Sequence, residues 1–391
     1  MARSRAAASP LVLWVAFASL YAPLFGAFGA EVPYLPAYLL GIGLSTQQIG
    51  FVLAAATLAQ SVFAPLTGMV ADRVGKRLVL ACAAAASGAG MALYGVTSGF
   101  AAALVVAVTV AIATAALSPL ADALAVPTLG KSGAYGRVRA FGSAGFIAGS
   151  FASGALIEHG GLASIIPLAA VLFVVAAAPL PFLPAIPRAD REAARGGLFM
   201  LLRSRPYLYV LCVSALAIGS HAMVDNFAVI SWRAGAVSGT TVAILLALAV
   251  GSELVVFTLL GPPLVRRYGA SACICIGAMA GCGRWIMFAE SRALWVIGAS
   301  QALHGLTFAL THLACMRVIA EVVPRKVAGT ALALYGTISS GLASAAISLV
   351  AGSLYATFGE RAFWLAAALS AAAIPFALRL DRYAVPSETV T

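Results

Sequence analysis

Long apolar stretches dominate the chain, and each one ends at a short polar or Gly/Pro-rich break. Since one helical crossing of a bilayer takes about 20 consecutive apolar residues, the pattern predicts twelve spans. The predicted spans are 11–40, 46–70, 77–98, 101–127, 138–158, 163–184, 207–230, 240–264, 270–289, 292–316, 327–357 and 361–380. We therefore expect an all-α membrane protein with twelve transmembrane helices.

Composition supports this environment. Of the 391 residues, 62% are hydrophobic and 9% are charged, whereas a soluble domain carries about 25% charged residues. A chain with so few charged residues cannot cover itself against water, and the twelve spans leave no room for a large soluble domain. The six cysteines lie in or beside apolar runs without the spacing of a zinc site. We expect free thiols, no metal and no cofactor.

The predicted spans fall into two groups of six around one polar segment. This segment, Pro187 to Arg205, contains five arginines together with Asp190 and Glu192. The expected domains are a six-helix bundle over 1–186, a cytoplasmic linker over 187–206 and a second six-helix bundle over 207–391. The halves also repeat, because a Gly/Arg-rich loop follows both the second and the eighth span. Parallel repeats of this kind are typical of a large transporter class and predict two pseudo-symmetric bundles.

The net charge of +11 has a topological explanation. Basic residues cluster before the first span and after every even-numbered span, and the positive-inside rule places such connections in the cytoplasm. The clusters are Arg3 and Arg5; Arg73, Lys76 and Arg77; Lys131, Arg137 and Arg139; Arg188, Arg191, Arg195, Arg203 and Arg205; Arg266 and Arg267; Arg317, Arg325 and Lys326; and Arg379 and Arg382. Both termini are then cytoplasmic, and a nucleic-acid partner is not needed. No organelle-targeting segment is visible, so the expected membrane is a bacterial plasma membrane.

The loop after the second span reads Gly68-Met-Val-Ala-Asp72-Arg73-Val-Gly75-Lys76-Arg77. Its glycine would allow close helix packing, and Asp72 would meet a neighbouring helix end or a basic partner. The loop resembles the signature loop of the major facilitator superfamily, which implies that fold and solute transport by alternating access. Gly68, Asp72, Arg73, Gly75 and Arg77 are then the gating motif. The alternative is an ordinary basic loop that obeys the positive-inside rule.

Ionisable residues inside apolar spans are the candidates for chemistry, because each costs about 2.5–3.5 kcal/mol at a helix centre on insertion scales. Four of them lie on four successive spans and favour a common cavity over scattered structural pairs. The candidates are Glu31, Asp122, Asp225, Glu253, Arg284, His304 and His312, with His221 and Arg139 near span interiors or ends.

A closer resemblance covers nearly the whole chain. Asp122-Ala-Leu-Ala, Tyr135-Gly-Arg-Val-Arg139, Gly283-Arg284-Trp285 and Gln301-Ala-Leu-His304 resemble the phenylpropionate permease branch, which is similar to the lactose permease and the nucleoside symporters. That resemblance implies that Asp122 pairs with Arg139 at the substrate. It further implies a proton-coupling set formed by Asp225, Glu253, Arg284 and His304.

The chain departs from the lactose permease pattern in two places. Thr307 stands where that permease has a glutamate one turn after the histidine, and the lysine before the histidine is absent. The proton-carrying carboxylate is then Glu253, Asp225 or Glu31, unless coupling has been lost.

The functional expectation is proton-coupled symport of a small organic solute by a monomeric protein in the lipid bilayer. An aromatic monocarboxylate is favoured, with Arg139, Arg284 and His304 receiving its charge. The candidate substrate-binding residues are Glu31, Asp122, Arg139, His221 and Asn226. A sugar or nucleoside symporter, a drug/proton antiporter and a non-transporting membrane sensor or scaffold remain open. No catalytic motif such as HExxH or GxSxG occurs, so an enzyme is not expected.

Overall fold

The computed structural model describes residues 9–129, 134–184 and 197–383, and nearly all of them are helical. Ten continuous stretches within these ranges are long and apolar enough to span a membrane. Two of the stretches, Gly239–Glu290 and Arg325–Tyr383, are long enough for two crossings each. Each contains a glycine with positive φ, Gly269 (79°) or Gly359 (58°). Division at these glycines gives twelve segments, which agrees with the hydropathy pattern.

The helices of the N-terminal part follow the predicted spans with two additional breaks. The span predicted over 11–40 is interrupted after Glu31, where Pro33 and Pro36 disfavour a continuous helix. The span predicted over 101–127 is interrupted after Thr114. The helices are α1 Pro10–Glu31, α2 Leu35–Gly41, α3 Thr46–Val74, α4 Lys76–Tyr94, α5 Phe100–Thr114, α6 Leu117–Leu129, α7 Ala134–Gly160 and α8 Ile165–Ala176.

The helices of the C-terminal part are joined in four places by π-helical segments. These segments are Ser214–Ile218, Val256–Leu260, Gly305–Leu310 and Thr337–Ala343. Such segments are rare and are frequent at functional sites. The helices are α9 Gly197–Arg203, α10 Arg205–Val213, α11 His221–Ala234, α12 Gly239–Val255, α13 Gly261–Glu290, α14 Leu294–Ala302, α15 Thr311–Val322, α16 Ala328–Gly336, α17 Ser344–Phe358 and α18 Trp364–Leu380.

By its internal contacts the chain divides into two compact units. One comprises the described residues of Met1–Leu44, Ala59–Asp190 and Ser238–Ala243, and the other those of Ser45–Leu58, Arg191–Val237 and Ile244–Thr391. The expected domains over 1–186 and 207–391 remain a prediction. Most of the predicted linker, 187–196, lies outside the described residues, as do Arg3, Arg5 and Lys131.

Close contact between α1 and α7 organises the first unit. A Cβ on Gly145 or Gly149 would overlap the carbonyl oxygens of Ala22 and Gly26 respectively, so only glycine permits this approach. The approach also lets Ser150 Oγ donate a hydrogen bond to the carbonyl oxygen of Gly29 at 2.9 Å. The small residues of the fifth span therefore serve helix packing in lipid.

In the second unit α13 packs against α15 and α18 and carries Arg284 and Trp285 into the interior. The buried Trp285 Nε1–H donates to the hydroxyls of Ser220 (3.2 Å) and Ser370 (2.9 Å). These two bonds set the orientation of the tryptophan, because a buried indole N–H requires an acceptor. The adjoining Arg284 is thereby held at a fixed position in the unit.

Candidate functional site

The predicted gating motif lies at the junction of α3 and α4. Gly75 adopts φ 114°, a conformation that favours glycine, and the turn places Lys76 Nζ 3.1 Å from Asp72 Oδ1. Arg77 donates to the carbonyl oxygen of Leu183. At Gly68, however, no described heavy atom lies within 4 Å of the position of a Cβ. The expectation of tight packing at this glycine was wrong for this structure, because its open face meets no neighbouring backbone in the described residues.

Arg284 is the centre of a buried polar cluster, which we call the Arg284 cluster and define as Arg284, His221, Gln301, His304, Thr307 and Glu253. The arginine is 2% exposed. Its Nη1 donates to Thr307 Oγ1 at 3.1 Å and lies 3.0 Å from His304 Nδ1. Its Nη2 donates to Gln301 Oε1 at 2.9 Å. Arg284 and His304, both predicted site residues, are thus brought together with a glutamine and a threonine.

Hydrogen-bond partners assign the histidine tautomers in the Arg284 cluster. His304 Nδ1 accepts from the guanidinium, which leaves the proton on Nε2, and Nε2 lies 3.5 Å from Glu253 Oε2. His221 Nδ1 lies 3.2 and 3.1 Å from two carbonyl oxygens, which only accept, so this nitrogen carries the proton. Its Nε2 then accepts from the Thr307 hydroxyl at 3.0 Å. A continuous chain of polar contacts therefore runs from Glu253 to His221.

The backbone beside this cluster is irregular for a local reason. His304 immediately precedes the π-helical segment Gly305–Leu310, and the N–H of Gly305 donates to Ser252 Oγ at 3.0 Å. Ser252 adjoins Glu253 on α12, so the bond that satisfies this N–H also holds the carboxylate-bearing helix against His304.

Aromatic rings surround the guanidinium of Arg284. The Trp285 ring centroid lies 4.5 Å and the Phe288 centroid 6.0 Å from its central carbon. The guanidinium Nε has no hydrogen-bond partner, and no carboxylate among the described residues lies within ion-pair distance of it. Asp225 interacts with it electrostatically from beyond ion-pair distance. This arrangement is a cation in an aromatic cage with one donor left open.

The first unit holds a second group of predicted residues. Asp122 Oδ1 accepts hydrogen bonds from the hydroxyls of Tyr21 and, at 3.1 Å, Tyr135. Arg139 lies with its central carbon 4.2 Å from the ring centroid of Phe25 and interacts with Tyr135. The implied ion pair between Asp122 and Arg139 is therefore not formed among these described residues. The two tyrosine hydroxyls occupy the carboxylate instead, and the arginine stacks on an aromatic face.

The remaining predicted residues lie apart from these groups. Glu31, at the end of α1, is 7% exposed, and its Oε2 has no hydrogen-bond partner. Tyr94 interacts with this carboxyl group electrostatically. Asn226 Nδ2 donates to Ser348 Oγ at 2.7 Å. The structure thus assembles Glu253, Arg284, His304 and His221, with Asp225 near them, and separately Asp122 with Arg139.

Four contact residues were not among the predicted sites. Gln301 and Thr307 bind Arg284, and Tyr21 and Tyr135 bind Asp122. Gln301 and Thr307 had a usable signal, because both are polar residues in an apolar span, each three positions from His304. Tyr21 had none, since it is separated from Asp122 by 101 residues. Within the described ranges, no group of three or more His, Cys, Asp or Glu residues is placed to hold a metal ion.

Comparisons with known proteins agree with the fold. The model of the MFS_1 like family matches residues 14–366. The chain is 31% identical to the probable 3-phenylpropionic acid transporter of Escherichia coli (strain K12), covering 90% of this chain and 94% of that one. It is 29% identical to the maltose permease of Geobacillus stearothermophilus, over 86% of each. The crystal structure of the nucleoside transporter NupG superposes with a TM-score of 0.79 at 17% identity, covering 95% of this chain and 98% of that one.

The chain belongs to the MFS_1 like family. It is an integral membrane protein with the major facilitator fold. Members of this family carry out secondary transport of small solutes, and the chain is a transporter of this kind. The family is one of transporters and not of enzymes.

Proposed function

We propose that this member of the MFS_1 like family is a proton-coupled symporter of an aromatic monocarboxylate, and that Arg284 receives the substrate carboxylate. The observation that carries the proposal is the buried guanidinium whose Nε lacks an acceptor and which has no carboxylate partner among the described residues. A buried charge without a counter-ion is costly, so an anionic ligand would be strongly favoured at this position.

The chemistry of the site fits a carboxylate joined to a ring. Guanidinium N–H groups match carboxylate geometry, which gives directed binding as well as charge neutralisation. The rings of Trp285 and Phe288 lie beside the guanidinium, and His221 packs edge-on against Trp285. These rings offer faces and edges to an aromatic substituent. Similarity to the probable 3-phenylpropionic acid transporter of E. coli supports the same substrate class.

The contacts on the other side of the guanidinium support the proposed coupling to a proton. Arg284 Nη1 holds His304 Nδ1 as an acceptor, and the opposite ring nitrogen faces Glu253. When the guanidinium binds a substrate carboxylate, its hydrogen bond to His304 Nδ1 weakens. The imidazole of His304 then becomes a better base. A proton taken up by the His304–Glu253 pair offsets the charge of the bound anion, so the substrate and the proton bind together.

The test is uptake of 3-phenylpropionate by proteoliposomes under an imposed pH gradient, with the external pH recorded. The wild type should accumulate the acid uphill and alkalinise the outside medium. Glu253→Gln should abolish uphill accumulation and leave part of the exchange of labelled for unlabelled substrate. Unchanged accumulation in this variant would remove Glu253 from the mechanism.

Recognition of the carboxylate has its own matched comparison. 3-Phenylpropionamide keeps the ring and the shape of the acid but lacks the charge. It should therefore compete poorly with labelled 3-phenylpropionate for binding to the wild-type protein. Arg284→Gln should weaken binding of the acid by about 10- to 150-fold, the size of a charged hydrogen bond of about 1.5–3 kcal/mol, and should remove the preference for acid over amide. Equal competition by acid and amide in the wild type would refute this role for Arg284.

A hydroxylated substrate is the second candidate. Asp122, with two tyrosine hydroxyls on one carboxylate oxygen, resembles a site that grips hydroxyl groups, and two of the compared proteins are named for maltose and nucleosides. The same assay run with maltose, uridine and a cationic drug separates the classes. Acidification of the outside medium during drug flux would identify an antiporter, and no flux of any solute would favour a sensor or scaffold.

A further inference from the structure

The hydroxyl of Thr307 has more partners than it has hydrogens to donate. The side chain is 2% exposed, and its Oγ1 lies 3.1 Å from Arg284 Nη1, 3.0 Å from His221 Nε2 and 3.1 Å from the carbonyl oxygen of His304. A hydroxyl donates one hydrogen bond and accepts two. The guanidinium can only donate and the carbonyl oxygen can only accept. Whether all three contacts are hydrogen bonds therefore depends on the protonation of His221.

The other ring nitrogen of His221 carries a hydrogen in both protonation states considered. Nδ1 lies 3.2 Å from the carbonyl oxygen of Ala217 and 3.1 Å from that of Ile218, one turn earlier in the chain. A bare nitrogen would face two acceptors there and have no donor. The ring is also held in place, because it packs edge-on against Trp285 with ring centroids 5.0 Å apart. Only the state of Nε2 is therefore free to change.

Neutral His221 leaves one contact of Thr307 without a hydrogen bond. Nε2 then accepts from the hydroxyl, and the carbonyl oxygen of His304 receives nothing from it. With a hydrogen on Nε2, the imidazolium donates to Oγ1, which also accepts from Arg284, and the hydroxyl hydrogen turns to the carbonyl oxygen. All three distances then correspond to hydrogen bonds without movement of any heavy atom.

We infer that His221 is a proton-binding group of the Arg284 cluster, and that rotation of the Thr307 hydroxyl accommodates its proton. One proton from the medium forms an N–H bond at Nε2, the O–H bond of the threonine stays intact, and the charge of the cluster rises by one. Thr307 is a positioning residue, because it presents an acceptor to the imidazolium and does not itself take the proton. This proton site is separate from the pair formed by Glu253 with Nε2 of His304.

The charges around His221 decide when it binds the proton. Arg284 of α13 and His304 interact with it electrostatically, and a positive charge on either one opposes another on the ring. Asp225 lies one turn further along α11, and Glu253 of α12 contacts His304. A carboxylate bound at Arg284 would compensate the guanidinium and thereby favour protonated His221. This link to the substrate rests on the proposed function, whereas the rotation of the hydroxyl does not.

Titratable groups on the other elements packed nearby have partners of their own. His312 Nδ1 of α15 lies 3.2 Å from the Tyr335 hydroxyl of α16. Tyr355 of α17 stacks on Phe227 of α11 at 4.8 Å, and Glu360 accepts from a serine near the far end of α11. The proton affinity of His221 is therefore set mainly by the two cationic neighbours on α13 and beside the π-helical segment.

The alternative is an ordinary helix threonine beside a packing histidine. Threonine hydroxyls commonly donate to the carbonyl oxygen three or four residues earlier in a helix, as Thr307 can to His304. In that case the hydroxyl never turns, and its removal would leave the proton affinity of His221 unchanged.

Nitrogen NMR distinguishes the two neutral tautomers and the imidazolium of each histidine. The chain contains four histidines, so ¹⁵N-histidine in the full chain in lipid bilayers gives four pairs of ring signals, each assigned by a histidine-to-glutamine variant. Spectra are recorded from pH 5 to pH 9 in the wild type and in Arg284→Gln. Loss of the guanidinium charge should move the midpoint of His221 protonation to higher pH. In both proteins neutral His221 should carry its hydrogen on Nδ1.

Substitutions of Thr307 in both of these proteins test the hydroxyl. Thr307→Val keeps the shape of the side chain but gives the imidazolium no acceptor. The midpoint should fall by about one pH unit, because a hydrogen bond to a charged group is stronger than one to a neutral group. Thr307→Ser keeps the hydroxyl and should restore the parent curve. Thr258→Val is the matched control, since the Thr258 hydroxyl donates to the Leu254 carbonyl oxygen of its own helical stretch at 2.7 Å, and its curve should coincide with the parent's.

Three results would overturn the inference. They are coincident curves for Thr307→Val and Thr307→Ser, a His221 that stays neutral over the whole range in both parent proteins, and a neutral His221 with its hydrogen on Nε2. The last two need no Thr307 variant to fold. Addition of 3-phenylpropionate to the wild type should move the midpoint in the same direction as Arg284→Gln does. A shift in Arg284→Gln without a shift by 3-phenylpropionate would refute the proposed substrate and leave the hydroxyl rotation standing.

Discussion

Replacement of Gly149 by alanine should separate α1 from α7. The new Cβ would overlap the carbonyl oxygen of Gly26, so the helices must move apart to accommodate it. Overpacking of this kind costs about 1–3 kcal/mol. The movement would also lengthen the bonds from Ser150 and Ser153 to carbonyl oxygens of α1, both 2.9 Å long, at about 0.6 kcal/mol each in a membrane protein.

Replacement of glycine by alanine also increases intrinsic helix propensity. A second glycine-to-alanine substitution at an uncrowded helical site controls for this increase. Gly251 on α12 is such a site, because no described heavy atom lies within 4 Å of its Cβ position. Gly251→Ala should leave the free energy of unfolding unchanged or raise it by about 0.5–1 kcal/mol. Gly149→Ala carries the same gain together with the costs above, so the two variants should differ by about 2–4 kcal/mol.

The assay is unfolding of the purified protein in mixed micelles with increasing sodium dodecyl sulfate, followed by tryptophan fluorescence. The two variants and the wild type are measured at the same detergent composition. If Gly149→Ala proved as stable as Gly251→Ala, backbone proximity would not be the reason for glycine on α7, and the packing argument would have to be abandoned.

Two other predictions concern the second unit. Ser220→Ala and Ser370→Ala should each cost little, because Trp285 Nε1–H keeps the other acceptor, whereas the double variant should cost about 1–3 kcal/mol for a buried donor left unpaired. A double-mutant cycle on the free energies of unfolding tests this. If the cost of the double variant equalled the sum of the two single costs, the idea that either serine can accept the indole N–H would be contradicted. Arg292→Gln should change the free energy of unfolding very little, because this arginine is 68% exposed beside Glu360 and water screens their interaction. The carboxylate raises the pKa of Arg292 further above its ordinary alkaline value, so this contribution should be constant between about pH 6 and 9, and a pH-dependent difference between variant and wild type would contradict that.

The candidate site could be predicted in part. The sequence analysis selected Arg284, His304 and Glu253 as interacting groups, and these three residues do meet in the structure. Their rarity in apolar spans was the signal, since each requires a partner in lipid. Gln301 and Thr307 carried the same signal more weakly, because uncharged polar residues are common at ordinary helix interfaces.

Other contacts depended on how each helix is rotated about its axis. A span that is apolar on all sides does not indicate which face meets a neighbour. The hydrogen bonds that Asp122 accepts from two tyrosine hydroxyls could therefore not be predicted. Glycine positions illustrate the same limit. At Gly336 no described heavy atom lies within 4 Å of the position of a Cβ, whereas Gly145 and Gly149 meet the backbone of α1.

Sequence alone determined that the chain crosses a membrane about twelve times. It also determined which few ionisable residues lie within apolar spans and therefore need polar partners. The physical reason is that hydrocarbon penalises every unpaired charge and every unsatisfied backbone group, whatever the details of packing. Only the tertiary structure decided which partners those residues take. It set Arg284 beside two aromatic rings with one donor open, placed Glu253 beside His304, and gave Asp122 two tyrosine hydroxyls while Arg139 stacks on Phe25. Those outcomes depend on helix rotation and close backbone approach, which hydropathy does not encode.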